Sequence, residues 1–220
     1  MPYARILAAA LVAGAIASPS HAANLLSNGS FEIGNVLPVN TGEGGPSQFL
    51  PSWTLGDPNE ATRVHAPVAY PLYPLNATDG SYYIGLPQTP TTGFHINTLS
   101  QAFSFSGANG LTLSFDISNE GGFPEPHHVT VQIFDQDALV AETEFSNNTT
   151  ANGRPDWDHK SWVTSVAPGT YTLTFVAVAD NASDILLDNI VLTDVPEPAT
   201  ALVFASALGM LGWTRRRRAA

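Results

Sequence analysis

Short runs of alternating apolar and polar residues, divided by turn-forming residues, constrain this chain more than any other feature. In residues 170–175 threonines alternate with Tyr171, Leu173 and Phe175, and residues 111–117 alternate in the same way. Successive side chains of a β-strand point to opposite faces of a sheet, so these apolar residues should face a core. No long stretch of this part follows the 3.6-residue period of a helix. The pattern predicts an all-β protein built as a β-sandwich.

Strand-like segments and turns set the expected organisation. The clearest predicted strands are 96–105, 111–118, 129–134, 139–145, 162–166, 170–179 and 185–193, and weaker ones lie near 52–55, 62–64 and 81–86. Segments 106–110 and 167–169 are predicted turns, because glycine or asparagine supplies positive φ and proline fixes a corner. The proline-rich stretch 34–90 should run as loops over one end of the sandwich, where binding sites tend to lie. Its tyrosines, Tyr73 among them, are candidate ligand contacts.

The N-terminus has the parts of a secretory signal peptide. Arg5 precedes an apolar run over 6–17, and small residues flank the end of the segment at Ser20 and Ala22. We expect signal peptidase to cleave after Ala22. The chain has no cysteine, so an exported domain here would owe nothing to disulfides.

The C-terminus begins with Val195-Pro196-Glu197-Pro198 and continues through an uncharged run over 199–213. Those 15 residues would span about 22 Å as a helix, which is short for a bilayer. The run is followed by four arginines, in keeping with the positive-inside rule. They are Arg215, Arg216, Arg217 and Arg218. The sequence predicts a short transmembrane helix held at the membrane by this cluster.

This C-terminal order resembles the PEP-CTERM sorting signal of Gram-negative, biofilm-forming bacteria, which is also filed as an ice-binding protein C-terminal domain. The resemblance covers 195–220. It implies that an exosortase acts at Pro196, Glu197 and Pro198 and releases the protein to the cell surface or extracellular matrix. Ice adhesion is not predicted, because the threonines form no repeated ladder across neighbouring strands.

The charge of the chain is uneven. The formal net charge is -11, from 19 acidic and 8 basic residues. Residues 23–195 hold 18 of the acidic residues and only Arg63, Arg154 and Lys160 as cations, which gives -15 (3 minus 18). Such a surface repels polyanions, so nucleic acid is excluded as a partner.

The region between the two ends, 23–194, resembles galactose-binding-like jelly rolls, the fold of many carbohydrate-binding modules. The opening 24–32 with Trp53, the closing 186–192 and the internal 99–103 carry this resemblance. It implies a structural Ca²⁺ between the first and last strands, with Glu32 and Asp188 as carboxylate ligands. It also implies that Trp53 belongs to the core. A hard cation suits an anionic domain without disulfides. The alternative is that both carboxylates are ordinary surface groups.

Catalytic signals are weak. Asp135 and Asp137, and Glu142 and Glu144, would share strand faces, but exposed carboxylates fit that spacing as well as a glycosidase pair does. His127 and His128 are adjacent, so on a strand they would point to opposite faces, which is poor geometry for one metal. The Gly-x-Ser-x-Gly and His-Glu-x-x-His motifs do not occur. The sequence therefore favours a protein that is not an enzyme.

Sugar binding needs an aromatic platform beside polar groups. Trp157 lies in a polar segment between Asp156 and Asp158, whereas alternation places Trp162 in a core. Packing of Trp157 beneath a loop is the alternative. The sequence predicts a surface or matrix protein that binds exopolysaccharide through Trp157, Asp156, Asp158 and Tyr73. A structural surface protein without a specific ligand and a jelly-roll glycoside hydrolase or lyase stay open.

Overall fold

The computed structural model describes residues 23–33, 50–56, 63–65, 76–86, 97–107, 109–119, 127–147, 156–178 and 185–195. Ten strands lie in these ranges. They are β1 (Thr54–Leu55), β2 (Arg63–His65), β3 (Tyr83–Leu86), β4 (Asn97–Phe105), β5 (Leu111–Asn119), β6 (His127–Asp135), β7 (Ala138–Asn147), β8 (Asp158–Thr164), β9 (Gly169–Val178) and β10 (Ile185–Asp194). The described ranges contain no helix that is long and apolar enough to cross a membrane.

The strands form two five-stranded antiparallel sheets. Sheet A has the order β1-β4-β9-β6-β7, and sheet B has the order β2-β3-β10-β5-β8. Neighbours in the chain are often not neighbours in a sheet, because β4 pairs with β9 and β5 pairs with β10. This arrangement confirms the predicted all-β sandwich, and it unites the described strands within one compact unit, Asn24–Asp194.

The core lies between the two sheets and follows the alternation of the sequence. Tyr171, Leu173 and Phe175 are buried on β9, while the threonines between them face outward. On β5 the buried apolar residues are Leu111, Leu113, Phe115 and Ile117. The ring of Phe115 in sheet B meets the ring of Phe175 in sheet A edge-on, with centroids 5.3 Å apart. Aromatic contact across the sandwich therefore joins the two layers.

Trp53 is a core residue, as the jelly-roll resemblance implies. Its ring lies 5.8 Å from Phe31 and 6.4 Å from Phe175 between centroids. Its indole Nε1 donates a hydrogen bond to the carbonyl of Asn28 at 2.9 Å. Phe31 and Asn28 both have positive φ, 58° and 55°, which lets this short segment turn the Phe31 side chain inward. The N-terminal segment is thereby fixed to the core.

Strand β8 departs from the sequence prediction. A strand was expected over 162–166, but β8 runs over Asp158–Thr164 and pairs with β5 along its whole length. Asp158 and Lys160 thus lie on the strand, although they precede its predicted start. Trp162 is only partly buried, although it does pack against the core. The cause is that β8 is an edge strand, where polar residues are tolerated and fewer neighbours cover an aromatic ring.

Candidate functional site

The N-terminal segment and the last strand meet at an irregularity in β10. The pairing of β10 with β5 shifts register between Asp188 and Val191, and Asn189 has a positive φ of 51°. At this break the N–H of Ile190 donates to the carbonyl of Gly29 at 3.0 Å. A Cβ on Gly29 would lie 1.9 Å from the carbonyl oxygen of Ile190, so only glycine fits there. The register shift thus begins directly after Asp188.

Asp188 is fully buried, and it binds a loop that is distant from it in sequence. Its Oδ2 accepts hydrogen bonds from the N–H of Thr78 at 2.7 Å, the Thr78 hydroxyl at 3.0 Å and the N–H of Asp79 at 3.1 Å. Its Oδ1 accepts the N–H of Asn189 at 2.7 Å. Burial raises the pKa of the Asp188 carboxyl above its usual 3.8, and the hydrogen bonds oppose that rise.

Glu32 binds the same loop a few residues further on. Its Oε1 accepts the N–H groups of Ser81 and Tyr82, both at 2.7 Å. Gly80 lies between Asp79, which Asp188 binds, and Ser81, which Glu32 binds. Gly80 has a φ of +76°, and a Cβ there would lie 2.4 Å from Cδ of Glu32. The two carboxylates predicted from sequence therefore converge on one segment, Asn76–Tyr82, which we name the anchored loop. Through these hydrogen bonds, the anchored loop, which precedes β3, is attached to both the N-terminal segment and β10.

The fit of this pair to a calcium ion is partial. Both side chains supply hard oxygen donors of the kind that Ca²⁺ prefers. However, the described ranges bring no third histidine, cysteine, aspartate or glutamate to form a metal-binding group. Three of the four carboxylate oxygens also accept hydrogen bonds already. Glu32 and Asp188 are the residues that could hold the ion, and carbonyl oxygens or water would have to complete the six to eight ligands it takes.

A second polar group lies next to Asp188 across the sheet. Asp116 on β5 is the cross-strand partner of Asp188 and also of His159 on β8. Its Oδ1 lies 2.7 Å from Nδ1 of His159, and its Oδ2 accepts a hydrogen bond from the amide of Asn189 at 3.2 Å. Both oxygens of this buried carboxylate are therefore satisfied, and the group rigidifies the outer face of sheet B.

Trp157 also packs on the outer face of sheet B, where it contacts both β3 and the anchored loop. It is partly buried, and its ring meets Tyr83 edge-on with centroids 5.5 Å apart. Its Nε1 donates to the carbonyl of Asn76 at 2.7 Å, at the start of the anchored loop. The indole N–H is thus engaged by the protein, and only part of the ring is open to a ligand.

The neighbours of Trp157 have distinct roles. Asp156 is exposed; its Oδ1 accepts the N–H of Trp157, and its carbonyl accepts the Ser118 hydroxyl at 3.0 Å. Asp158 forms an ion pair with Lys160 two residues along β8. Of the two carboxylates next to Trp157 in the chain, Asp158 is thus already paired with Lys160.

The carboxylate pairs that could have suggested an enzyme are exposed. Glu142 and Glu144 share the outer face of β7, as their spacing predicted. Asp135 ends β6, whereas Asp137 lies in the turn that follows, so these two do not share a strand. His128 on β6 lies near Glu144, with Nδ1 3.1 Å from Oε1.

The outer face of sheet A carries an aromatic residue that the sequence interpretation did not select. Phe134 on β6 is partly exposed and stands opposite Thr172 of β9 and Leu139 of β7. Two residues along the strand, the Gln132 amide donates to Oε2 of Glu142 at 2.6 Å. The signal was present in the sequence, since buried Val129, Val131 and Ile133 leave Phe134 on the opposite face.

Several predicted functional residues lie outside the described residues. They are Ala22, Tyr73, Pro196, Glu197, Pro198, Arg215, Arg216, Arg217 and Arg218. The signal peptide and the C-terminal helix fall in the same undescribed parts, so the structure does not bear on them.

Comparison with known proteins identifies the C-terminal segment. Residues 194–218 match the family model of the PEP-CTERM protein-sorting motif. A search of curated protein sequences finds no match to the chain. The predicted sorting signal is therefore confirmed as a motif.

Solved structures share the fold of the described domain. A carbohydrate-binding module solved with β-1,4-galactotriose, TmCBM61, matches with a TM-score of 0.51 and 20% identity, over 79% of this chain and 99% of that one. The CBM22-1 xylan-binding domain of Xyn10C from Paenibacillus barcinonensis matches with a TM-score of 0.47 and 16% identity, over 82% and 100%. The enzymatically active domain of tailspike protein 4 from bacteriophage CBA120 matches with a TM-score of 0.47 and 17% identity, over 78% and 21%.

The solved structures show the fold of the domain, and the family model identifies a sorting motif after it. The two antiparallel sheets share the jelly-roll fold of TmCBM61, which confirms the fold that the sequence resemblance predicted. The chain thus joins such a jelly roll to a PEP-CTERM protein-sorting motif, which indicates an exported surface protein processed by an exosortase.

Proposed function

We propose that this protein is a non-catalytic polysaccharide-binding module displayed on the cell surface or in the extracellular matrix. The observation that carries the proposal is the combination, in one chain, of a surface-sorting motif with a jelly roll like that of a galactotriose-bound module. A sugar-binding domain sorted to the surface would tether the cell to polysaccharide, or polysaccharide to the cell. Exopolysaccharide of the producing cell is the nearest ligand available to it.

Trp157 supports a sugar contact on sheet B. An aromatic ring stacks on the apolar face of a pyranose, and polar groups at its rim fix the orientation of the sugar. Trp157 is held in place by Tyr83 and by the carbonyl of Asn76, so little rotamer entropy would be lost on binding. The exposed carboxylate of Asp156 lies beside it and can accept hydrogen bonds from sugar hydroxyls. Tyr73 is proposed as a further contact.

The proposed route of the protein follows from its two ends. Signal peptidase removes residues 1–22, the short apolar helix within 199–213 holds the precursor in the inner membrane of a Gram-negative bacterium, and an exosortase acts at Pro196–Pro198. The four arginines keep the helix oriented until that step. The mature domain then carries most of the negative charge of the chain to the outside.

Affinity electrophoresis of the purified full-length protein tests the binding function. Gels contain either exopolysaccharide from the producing bacterium or a neutral polysaccharide such as β-1,4-galactan or xylan. We expect at least one gel to retard the wild-type protein and Trp157→Ala to migrate faster than wild type in that gel. Val163→Ala is a matched control, since Val163 is a 66% exposed apolar residue on β8, the same strand that follows Trp157.

The outcomes separate the remaining functions. Equal retardation of wild type and Trp157→Ala would remove Trp157 from the binding site. No retardation in any gel would leave a structural surface protein. A fall in the viscosity of the polysaccharide solution after incubation with the protein would show a hydrolase or lyase instead.

A further inference from the structure

Along its described strands, the outer face of sheet A is a broad polar surface that carries Phe134 as its large aromatic residue. Register places Thr54, Ser100, Thr174, Gln132 and Glu142 side by side, one from each of the five strands. Strands lie about 4.8 Å apart, so this polar row is about 19 Å long. The row crosses the strands at right angles, and it offers hydroxyl, amide and carboxylate groups along its whole length.

A second row, in which three of the four residues are apolar, runs beside the polar one. It consists of Ala102, Thr172, Phe134 and Leu139, again in cross-strand register. Ala102 is exposed, Leu139 is 49% exposed and Phe134 is partly exposed. A register irregularity between Ile133 and Phe134 falls at this point of the β6–β7 pair. Such bulges re-aim a side chain, which is a reason for an aromatic ring to be presented on an otherwise polar face.

The polar groups next to Phe134 are already oriented. The amide of Gln132 donates to Glu142 at 2.6 Å, which fixes the direction of both side chains. The other lone pairs of the carboxylate and of the amide carbonyl can accept hydrogen bonds from a ligand, and the second amide hydrogen can donate one. Thr174 and Thr172 add hydroxyl groups on the neighbouring strand. Donors and acceptors thus stand beside an aromatic ring, which is the pattern that sugar recognition uses.

Charge decides the class of ligand. Among the residues that the structure describes, the lysine and arginine positions are Arg63 on β2 and Lys160 on β8, both in sheet B. Sheet A instead presents Glu142 and Glu144 on its outer face. Along the described strands of sheet A, an acidic polysaccharide would meet these carboxylates and no lysine or arginine, and desolvating unpaired like charges is costly. An uncharged glycan would meet neither penalty.

We propose that the outer face of sheet A binds a neutral polysaccharide chain laid across the strands, with a pyranose ring stacked on Phe134 and hydroxyls bound to Gln132 and Glu142. This inference rests on the proposed function, because it names a second contact surface and a ligand class for a polysaccharide-binding module. It assigns a role to residues of sheet A, whereas Trp157 directly precedes β8 of sheet B.

Calorimetry with the purified full-length protein tests the surface and the ligand class separately. The probes are oligosaccharides of increasing length from β-1,4-galactan, xylan and cellulose, and oligogalacturonates as anionic counterparts. We expect a neutral series to bind with affinity that rises with chain length, and the galacturonates to bind at least tenfold more weakly. Phe134→Ala should reduce affinity for the bound series about tenfold, the equivalent of about 1.4 kcal/mol. Gln132→Leu should weaken it in the same direction.

Two controls guard against trivial loss. Phe134→Tyr keeps the ring and should keep the affinity, and Val163→Ala removes an exposed apolar side chain from sheet B and should bind as wild type. Thermal melting of each variant shows whether the fold is intact.

Each adverse result has its own meaning. If Phe134→Ala and Gln132→Leu bind as wild type while Trp157→Ala loses binding, the sheet A surface is wrong and the proposed function stands. If galacturonates bind more tightly than every neutral series, the ligand class is wrong. If wild type binds no oligosaccharide of either kind, the proposed function fails and this inference fails with it.

Discussion

Two carboxylates far apart in sequence hold one short loop. Asp188 accepts three hydrogen bonds from Thr78 and Asp79, and Glu32 accepts two from Ser81 and Tyr82. Asp188 is fully buried and its hydrogen bonds to Thr78 and Asp79 are partly buried, so water replaces this carboxylate poorly, and each lost hydrogen bond costs about 1 kcal/mol. Glu32 is exposed, and water can replace its bonds. The two anchors are therefore unequal in their effect on stability.

Removal of calcium should lower the melting temperature of the purified wild-type protein, if Glu32 and Asp188 hold the ion that the jelly-roll resemblance implies. A ligand that binds only the folded state stabilises it, and chelation withdraws that contribution. The measurement is a melting curve in buffer with calcium and in excess EGTA. Asp188→Asn should melt at a lower temperature than wild type in both buffers and should respond less to EGTA.

The wild-type curve separates the two accounts of these carboxylates. A curve that EGTA does not shift, together with a lower melting temperature for Asp188→Asn, would show that the carboxylates stabilise the loop by hydrogen bonds without a metal. Calcium-saturated EGTA serves as the control for the chelator and for ionic strength, because it leaves calcium available to the protein.

Strand β7 is a long edge strand with an exposed outer face. It runs over ten residues and pairs only with β6 among the described strands. An unpaired edge is a template for pairing with another chain, and proteins protect such edges with charges and bulges. Strand β7 has both protections. Glu142 and Glu144 supply the charges, and the register irregularity between Ile133 and Phe134 supplies the bulge. Repulsion between carboxylates opposes antiparallel pairing of two β7 strands.

Replacement of these charges should promote association. The double variant Glu142→Val and Glu144→Val is expected to form dimers and larger species whose proportion rises with concentration, while its melting temperature stays close to that of wild type. Sedimentation velocity measures the distribution. Ser104→Val with Thr170→Val adds apolar surface to the inner strands β4 and β9 as a matched control. Equal association of both double variants would mean that apolar surface, and not the edge, is responsible.

The elements were predictable from sequence where alternation is regular. The threonine pattern of β9 and the leucine pattern of β5 require one buried face each, and both strands lie where they were expected. The predicted start of β8 was four residues too late, because the first residues of the strand include the charged Asp158 and Lys160 and show no apolar alternation. Edge strands tolerate such residues, so hydrophobic alternation marks their ends poorly.

The candidate sites were predictable only in part, for reasons of distance. Resemblance selected Glu32 and Asp188, but no local pattern could show that both would bind residues 78–82. Trp157 was selected because its segment is polar, yet its indole N–H binds Asn76, which is 81 positions away in the chain. Phe134 was missed because one outward aromatic residue in a strand is an ordinary event, and its meaning comes from the neighbours that β7 and β9 bring to it.

In the chain as a whole, the sorting motif directly follows the last described strand. Strand β10 ends at Asp194, and the sorting motif spans 194–218. Cleavage at Pro196, Glu197 or Pro198 would therefore leave all ten described strands intact. The released domain should keep the fold and the melting temperature of the precursor, because no described core residue lies beyond Leu192.

Alanine replacement of Pro196, Glu197 and Pro198 together should block this release in the producing bacterium. We expect wild-type protein in the surface or matrix fraction as a form shortened by about the 22 residues that follow Pro198 (220 minus 198). The triple variant should stay in the membrane fraction at the length of the uncleaved precursor, since its apolar run and its arginines are unchanged. Immunoblots of both fractions measure the partition. Alanine replacement of Ser161 and Val163, two exposed residues of β8 outside the motif, serves as a control. A triple variant of 196–198 that reaches the surface at the shortened length would show that release does not depend on the Pro-Glu-Pro residues.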